Sequence, residues 1–234
     1  MSKSINGPWI TPADDSFDGR AYYAARTAFD GERRVLFGWV PTRDEGGDPS
    51  SYLWGGTFMP LEIVQRADGT LGTKLPDSML GAFGEAKAVE TFELSCESGK
   101  VEQVLAADAG STYLLDADIE LGGNAAGFSV KLAEDAETGL AYEFRANLRE
   151  GKLEFTPAPQ YPWFQVNNMG LERPLFFKGE GTHHVRLVVD DDIATIFVDD
   201  VALNARFCNK QGQDVALTVT DGALKCANAT IASL

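Results

Sequence analysis

The chain has 234 residues, enough for one large domain or for one domain with an accessory element, and its 44% of hydrophobic residues can form an ordinary core. Its net charge of −15 argues against nucleic acid and anionic membranes as partners, because such a field repels phosphate. No stretch approaches the roughly 18 apolar residues of a membrane-spanning helix, and residues 1–7 lack the apolar core of a secretion signal. We expect a soluble chain, cytoplasmic if complete as given, with its location otherwise unknown.

Cysteine and histidine are too scarce and too poorly spaced for a metal centre. Cys96, Cys208 and Cys226 lie far apart along the chain, whereas zinc sites usually contain C-x2-C pairs. His183 and His184 are neighbours, and adjacent side chains of a strand point to opposite faces. We therefore expect three structural thiols, a strand-edge pair of histidines, and neither a metal nor another cofactor.

Acidic residues cluster at several predicted turns: Asp190–Asp192, Asp199–Asp200 and the residues from Asp44 to Asp48. Calcium needs about six to eight oxygen ligands from a loop of fixed spacing. No D-x-D-x-D-G series closed by a glutamate occurs in the sequence. The clusters are therefore predicted to be solvated turn residues.

The first third of the chain reads as a β-meander. Three strands are predicted, over Arg20–Phe29, Arg33–Val40 and Tyr52–Ile63. Residues 41–51 are rich in Pro, Gly, Asp and Ser and are predicted to be an exposed loop, and Ala67–Thr70 is a hairpin signal. Strands joined in this way form the unit of a propeller blade, so residues 1–75 are predicted to be a blade-like β-meander.

The remainder, residues 76–234, is predicted to be an antiparallel β-sandwich of the lectin-like jelly-roll type. A short helical turn within Asp77–Lys87 and a strand over Lys87–Ser95 come first. Apolar and polar residues then alternate in many short segments separated by turns, which favours a sandwich. The predicted strands are Tyr113–Leu121, Gly127–Leu132, Ala141–Asn147, Lys152–Thr156, His184–Val189, Ala194–Val198, Ala202–Cys208, Val215–Thr220 and Ala223–Ile231.

Four segments carry a family resemblance. Residues 18–27, DGRAYYAART, are similar to D-x-G-x-x-F-Y-A-x-x-T, and residues 33–39, RRVLFGW, to G-R-R-x-x-x-G-W. Residues 54–62 resemble a W-x-G … L-P-R-E strand, and residues 185–200 resemble L-R-x-F-V-D-R-S-S-V-E-V-F-V-N-D-G. In this order they resemble glycoside hydrolase family 32, the invertases, levanases and fructosidases. The chain departs from the patterns at Asp18, which directly precedes the glycine, and at Leu61, Asp191–Asp192 and Thr195.

The resemblance implies the C-terminal part of such an enzyme, its last propeller blade and its C-terminal β-sandwich. The family's catalytic acids lie in N-D-P-N-G, R-D-P and E-C motifs, and none of these occurs in the sequence. Arg43-Asp44-Glu45 lacks the proline, and Cys96-Glu97 reverses the order of E-C. No catalytic residue is therefore assigned, and a structural or carbohydrate-binding role is expected. The alternatives are a divergent glycosidase that hydrolyses β-fructosides such as sucrose or fructan, and a stand-alone lectin-like module.

Five residues are candidates for carbohydrate contact. The resemblance implies that Asp18 and Tyr22 approach the axis of a propeller, where sugar binds. Tyr161 and Trp163 lie in a proline-rich loop, and flat aromatic rings stack well on the apolar faces of sugars. Asn167 could bond a hydroxyl group. The alternative is that all five pack within the blade or sandwich, or dock onto a propeller.

A single blade cannot bury both of its faces. Six apolar residues of the predicted meander would form an exposed patch without neighbouring blades: Val35, Leu36, Phe37, Trp39, Trp54 and Phe58. Burying such a patch would release several kcal/mol, at about 25 cal/mol per Å². We therefore expect the chain to form a homo-oligomer, or to dock onto a propeller domain.

Overall fold

The computed structural model describes residues 2–122, 124–159, 171–175, 177, 179 and 181–234. Within these ranges almost all regular structure is antiparallel β-strand, which confirms the predicted all-β class. The α-helix α1 has four residues, Asp77–Leu80, within the segment predicted to hold a helical turn. No helix in the described part of the chain is long and apolar enough to cross a membrane.

A four-stranded antiparallel meander comes first, in the order β1-β2-β3-β4. Its strands are β1 Tyr23–Phe29, β2 Arg34–Arg43, β3 Tyr52–Gln65 and β4 Leu71–Lys74. The predicted loop is therefore shorter than expected, because β2 continues through Pro41 to Arg43. Pro41 pairs with Gly56, and a Cβ on that glycine would lie 1.9 Å from the Val40 carbonyl oxygen. Only glycine permits this close approach of two strands.

An eleven-stranded antiparallel sheet follows, with the main path β11-β10-β9-β8-β15-β7-β12-β13-β14. Its strands are β5 Lys87–Ala88, β6 Phe92–Ala106, β7 Thr112–Leu121, β8 Gly127–Glu134, β9 Ala141–Asn147, β10 Lys152–Ala158, β11 Glu172–Pro174, β12 Gly181–Asp190, β13 Ile193–Val198, β14 Val201–Arg206 and β15 Asp214–Ser233. The end strand β14 approaches β10 and β11, so the sheet nearly closes on itself. This architecture is consistent with the predicted β-sandwich.

The eleven-stranded sheet folds into two layers because two long strands, β6 and β15, bend and run through both of them. The first half of β15 pairs with β8, its second half pairs with β7, and β6 accompanies it along both halves. The register shifts between Thr220 and Gly222, where Asp221 has φ 46° and Gly222 φ 79°. The prediction of two separate strands around Asp221-Gly222 is therefore wrong. The turn signal produces a bulge that bends a single strand instead.

The core lies between these layers. Inward-facing side chains alternate along β7 and β12, and the largest of them are fully buried. The hydrophobic core includes Leu115, Ile119 and Leu187 on these two strands, with Phe128 on β8 and Phe144 on β9. Each contributes roughly 2–3 kcal/mol by leaving water.

Polar side chains join the four-stranded sheet to the eleven-stranded sheet at β14. Arg206 is 4% exposed, and its guanidinium donates to the carbonyl oxygens of Pro41 at 2.7 Å and Val40 at 3.2 Å. Asp200, in the turn before β14, accepts two bonds from Arg66, at 2.6 and 3.0 Å. Its carbonyl also accepts a bond from the Thr73 N–H at 2.8 Å. We call these contacts, with those of Asp18 and Arg173 described below, the joint.

Replacing Arg206 with alanine should lower the free energy of unfolding by about 3 kcal/mol, because two carbonyls at the joint lose a buried charged donor. Arg149→Ala is the matched control. Arg149 is 71% exposed in its ion pair with Asp221, so its loss should cost at most about 1 kcal/mol. Urea unfolding of both variants measures the difference. Equal losses would contradict the role given to Arg206.

Candidate functional site

The Asp18 carboxylate accepts hydrogen bonds from strand β14. Its Oδ1 accepts from the N–H of Gly19 at 2.6 Å and from the N–H of Asn204 at 2.9 Å, and its Oδ2 accepts from the Asn204 amide. The Thr195 hydroxyl donates to the same amide from the other side. Burial outweighs these bonds and raises the pKa of Asp18 to about 6.

Arg173 fixes the segment that carries Asp18. This β11 residue is 4% exposed and donates to the carbonyl oxygens of Ser16 at 2.6 Å and Asp18 at 2.9 Å. It also bonds the Ser16 hydroxyl at 2.9 Å and forms an ion pair with Asp14. Asp18 is thus held from both sides by residues of the larger sheet.

Tyr22 packs inside the meander. Its hydroxyl donates to the Met59 carbonyl at 2.6 Å and accepts from the Gly38 N–H at 2.7 Å. A Cβ on Gly38 would lie 2.6 Å from the Tyr22 ring, so the ring needs glycine beneath it. Burial raises the pKa of Tyr22 well above its usual range. These contacts correspond to the packing alternative for this residue.

Tyr23, which was not among the five candidates for carbohydrate contact, belongs to an exposed aromatic cluster. Its ring centroid lies 5.7 Å from that of Trp39 and 5.0 Å from that of Trp54, and the two indoles are 5.8 Å apart. Trp54 is 80% exposed and Phe58 is 67% exposed. We call these four residues the aromatic face. The sequence could have predicted an outward-facing Tyr23, because adjacent side chains such as Tyr22 and Tyr23 point to opposite faces of a strand.

The predicted apolar patch is thus present in part. Phe37, Trp54 and Phe58 are exposed, whereas Leu36 is buried. Leu36 was wrongly included, because it alternates with Phe37 along β2 and points inward to the core.

The remaining candidates, Tyr161, Trp163 and Asn167, lie outside the described residues. Strand β10 leads to them and ends at Ala158. Their contact with carbohydrate stays a prediction.

The acidic turns are more structured than expected. Asp48 is 2% exposed and accepts from the Cys208 N–H at 2.7 Å and from the Tyr142 hydroxyl, so its assignment as a solvated residue is wrong. Asp192 pairs with Arg206, and Asp200 with Arg66. Among the residues the structure describes, no group of three or more His, Cys, Asp or Glu could hold a metal ion.

His183 and His184 point to opposite faces of β12, as predicted. His183 is 6% exposed, and its ring stacks on Phe177 with centroids 3.6 Å apart. His184 lies outside, with Nε2 2.8 Å from Asp116 and Nδ1 3.2 Å from Asp118. Hydrogen bonds to these two carboxylates raise the pKa of His184.

The sequence matches no protein-family model and no curated protein sequence. Solved structures do match. Fructan 1-exohydrolase IIa from Cichorium intybus is 16% identical, with a TM-score of 0.70, 98% of this chain covered and 51% of that chain. The fructosyltransferase of A. japonicus is 15% identical, with a TM-score of 0.67, and the match covers 92% of this chain and 44% of that chain. A glycoside hydrolase family 32 protein of Bifidobacterium adolescentis is 18% identical, with a TM-score of 0.58, and the match covers 92% of this chain and 32% of that chain.

This chain shares its fold with part of those enzymes. It spans about half of their length or less. At such low identity the likeness concerns the fold alone.

Asp18 should make the protein less stable as the pH rises. Its pKa is 3.8 when unfolded and about 6 when folded, so its stabilising contribution is complete below the first value and is lost as the pH rises through the second. Asp18→Asn removes the titrating group. The free energy of unfolding of this variant should therefore not show the decrease that the parent shows between about pH 4 and 6. Asp15→Asn, at an exposed neighbour, is the control. Identical pH curves for Asp18→Asn and the parent would contradict the assignment.

Proposed function

We propose that this chain is the C-terminal, non-catalytic part of a protein related to family 32 glycoside hydrolases. Its blade-like sheet and sandwich would support a propeller domain and take part in carbohydrate binding. The observation that carries this proposal is the aromatic face, which lies uncovered on the four-stranded sheet.

The aromatic face is suited to protein contact. The opposite side of the same sheet buries Leu36, Val40 and Leu61, each at most 5% exposed, in the common core. Trp54 and Phe58 are left facing outward on a sheet that already has one covered side. Large exposed apolar patches mark interaction sites, and aromatic residues dominate such sites. A neighbouring blade would cover this face, as would a second copy of the chain.

The acid chemistry of the described residues favours a supporting role. A retaining glycosidase needs two carboxyl groups about 5–5.5 Å apart, one as nucleophile and one as proton donor. The three catalytic motifs of family 32 are absent from the sequence. Asp18 is the acid that the resemblance brings nearest to a sugar site, and both of its oxygens accept bonds from Asn204.

The candidate sugar contacts divide into two groups within this proposal. The bonds of Asp18 and Tyr22 favour packing over contact with a ligand. Tyr161, Trp163 and Asn167 stay the predicted residues for carbohydrate contact near β10. Trp163→Ala would then weaken binding of a fructan.

The purified chain should not hydrolyse sucrose, inulin or levan, because it would lack the pair of acids that the reaction requires. Release of reducing sugar measures this directly. Turnover that disappears when one particular acid is replaced would instead establish the divergent fructosidase.

The purified chain should self-associate through the aromatic face, and Trp54→Ser with Phe58→Ser should shift it toward the monomer by removing apolar area. Light scattering coupled to size-exclusion chromatography gives the mass of each species. Val104→Ser is the matched control, since this residue is 41% exposed on the other sheet. A parent protein that is monomeric at every concentration would contradict the prediction.

A further inference from the structure

A cleft of about 590 Å³ opens at one end of the sandwich. Its described lining residues all come from the eleven-stranded sheet and its loops. Tyr113 and Val189 come from β7 and β12 in one layer, and Ala133 comes from β8 in the other. The loop between β14 and β15 supplies Lys210 and Gln213. The cleft is within the size range of small-molecule sites.

Tyr113 lines this cleft and carries a buried hydroxyl without a partner among the described residues. The side chain is 2% exposed and faces inward, in register with Val189 on β12. Its buried hydroxyl makes no hydrogen bond in the part of the chain that the structure describes. A buried polar group without a partner is costly, and native structures rarely keep one without a reason. Burial also raises the pKa of this phenol, so the hydroxyl keeps its proton.

The rim adds more polar groups that are available to a ligand. Ser111 and Gln213 line the cleft, and both are exposed. No side-chain hydrogen bond of either is present among the described residues. Lys210 forms an ion pair with Asp191 and lies 5.6 Å above the Phe207 ring. The two charges of this pair offset each other at the mouth of the cleft.

The chemistry of these groups selects the ligand. A serine hydroxyl, a tyrosine hydroxyl and a glutamine amide can each both donate and accept a hydrogen bond. A sugar hydroxyl also does both, whereas an anion needs only donors and a cation only acceptors. The net charge of −15 adds to the exclusion of anions. We propose that this cleft binds a small neutral polyhydroxylated molecule, a sugar or a sugar alcohol, with the Tyr113 hydroxyl as its deepest contact. The proposal does not depend on propeller docking.

The test uses the full chain, with D-fructose, D-glucose, sucrose and sorbitol as probes and inorganic phosphate as the anionic control. Binding is followed by amide chemical shifts in NMR titrations. Tyr113→Phe removes only the hydroxyl, and Gln213→Ala removes one rim group. Each should weaken binding of the best probe by about three- to tenfold, as expected for one lost hydrogen bond. Gln103→Ala, at an exposed glutamine on β6, is the matched control.

Two further readouts make the outcome decisive. Because the Tyr113 hydroxyl has no partner within the protein, Tyr113→Phe should keep or raise the Tm, so weaker binding cannot be attributed to unfolding. Trp54→Ala should leave binding unchanged, which separates the cleft from the aromatic face. The proposal is overturned if no neutral probe shifts the resonances of the cleft, if phosphate binds in their place, or if Tyr113→Phe and Gln213→Ala bind as the parent does.

Discussion

The orientation of the four-stranded sheet on strand β14 is the constraint on which the rest of the molecule depends. Apolar contacts alone would hold the sheet but would specify its angle poorly, because the hydrophobic effect has no direction. Hydrogen bonds do have direction. Asn204 bonds Asp18, and Arg206 bonds the carbonyls of Val40 and Pro41, so neighbouring β14 residues fix both the start and the middle of the meander.

The molecule has two different candidate surfaces, and the orientation of the four-stranded sheet determines the first of them. The side of the meander that faces the sandwich joins the common core, and the aromatic face is turned to solvent. The cleft beside Tyr113 lies within the sandwich itself, where the layers end. The first surface is an exposed apolar patch, which is typical of interaction sites, and the second is concave and combines apolar residues with a few polar groups, as small-molecule sites do. The two proposed surfaces therefore lie on different parts of the fold.

Sequence reasoning reached the elements whose side chains alternate. Strands β7 and β12 were predicted from such alternation, and buried and less buried residues do alternate along them. Strands β8 and β9 were also predicted, although the structure buries both of their faces. Residues 96–106 of β6 were missed, since among the described residues this strand pairs with β15 alone and has no regular apolar alternation. The roles of Asp18 and Asp48 could not be predicted either. Two of their donors, Asn204 and Cys208, are more than 150 residues away in sequence and meet them only after folding.

The bent strand β15 also bears on how the protein is made. It borders β8 in one layer and β7 in the other, so neither layer has its full set of neighbours until Asp214–Ser233 has left the ribosome. Pairings over so long a separation in sequence close late, because loop-closure entropy opposes them. Until then the strand edges that β15 will cover stay open to pairing with other chains, which makes protection of those edges by a chaperone valuable during synthesis.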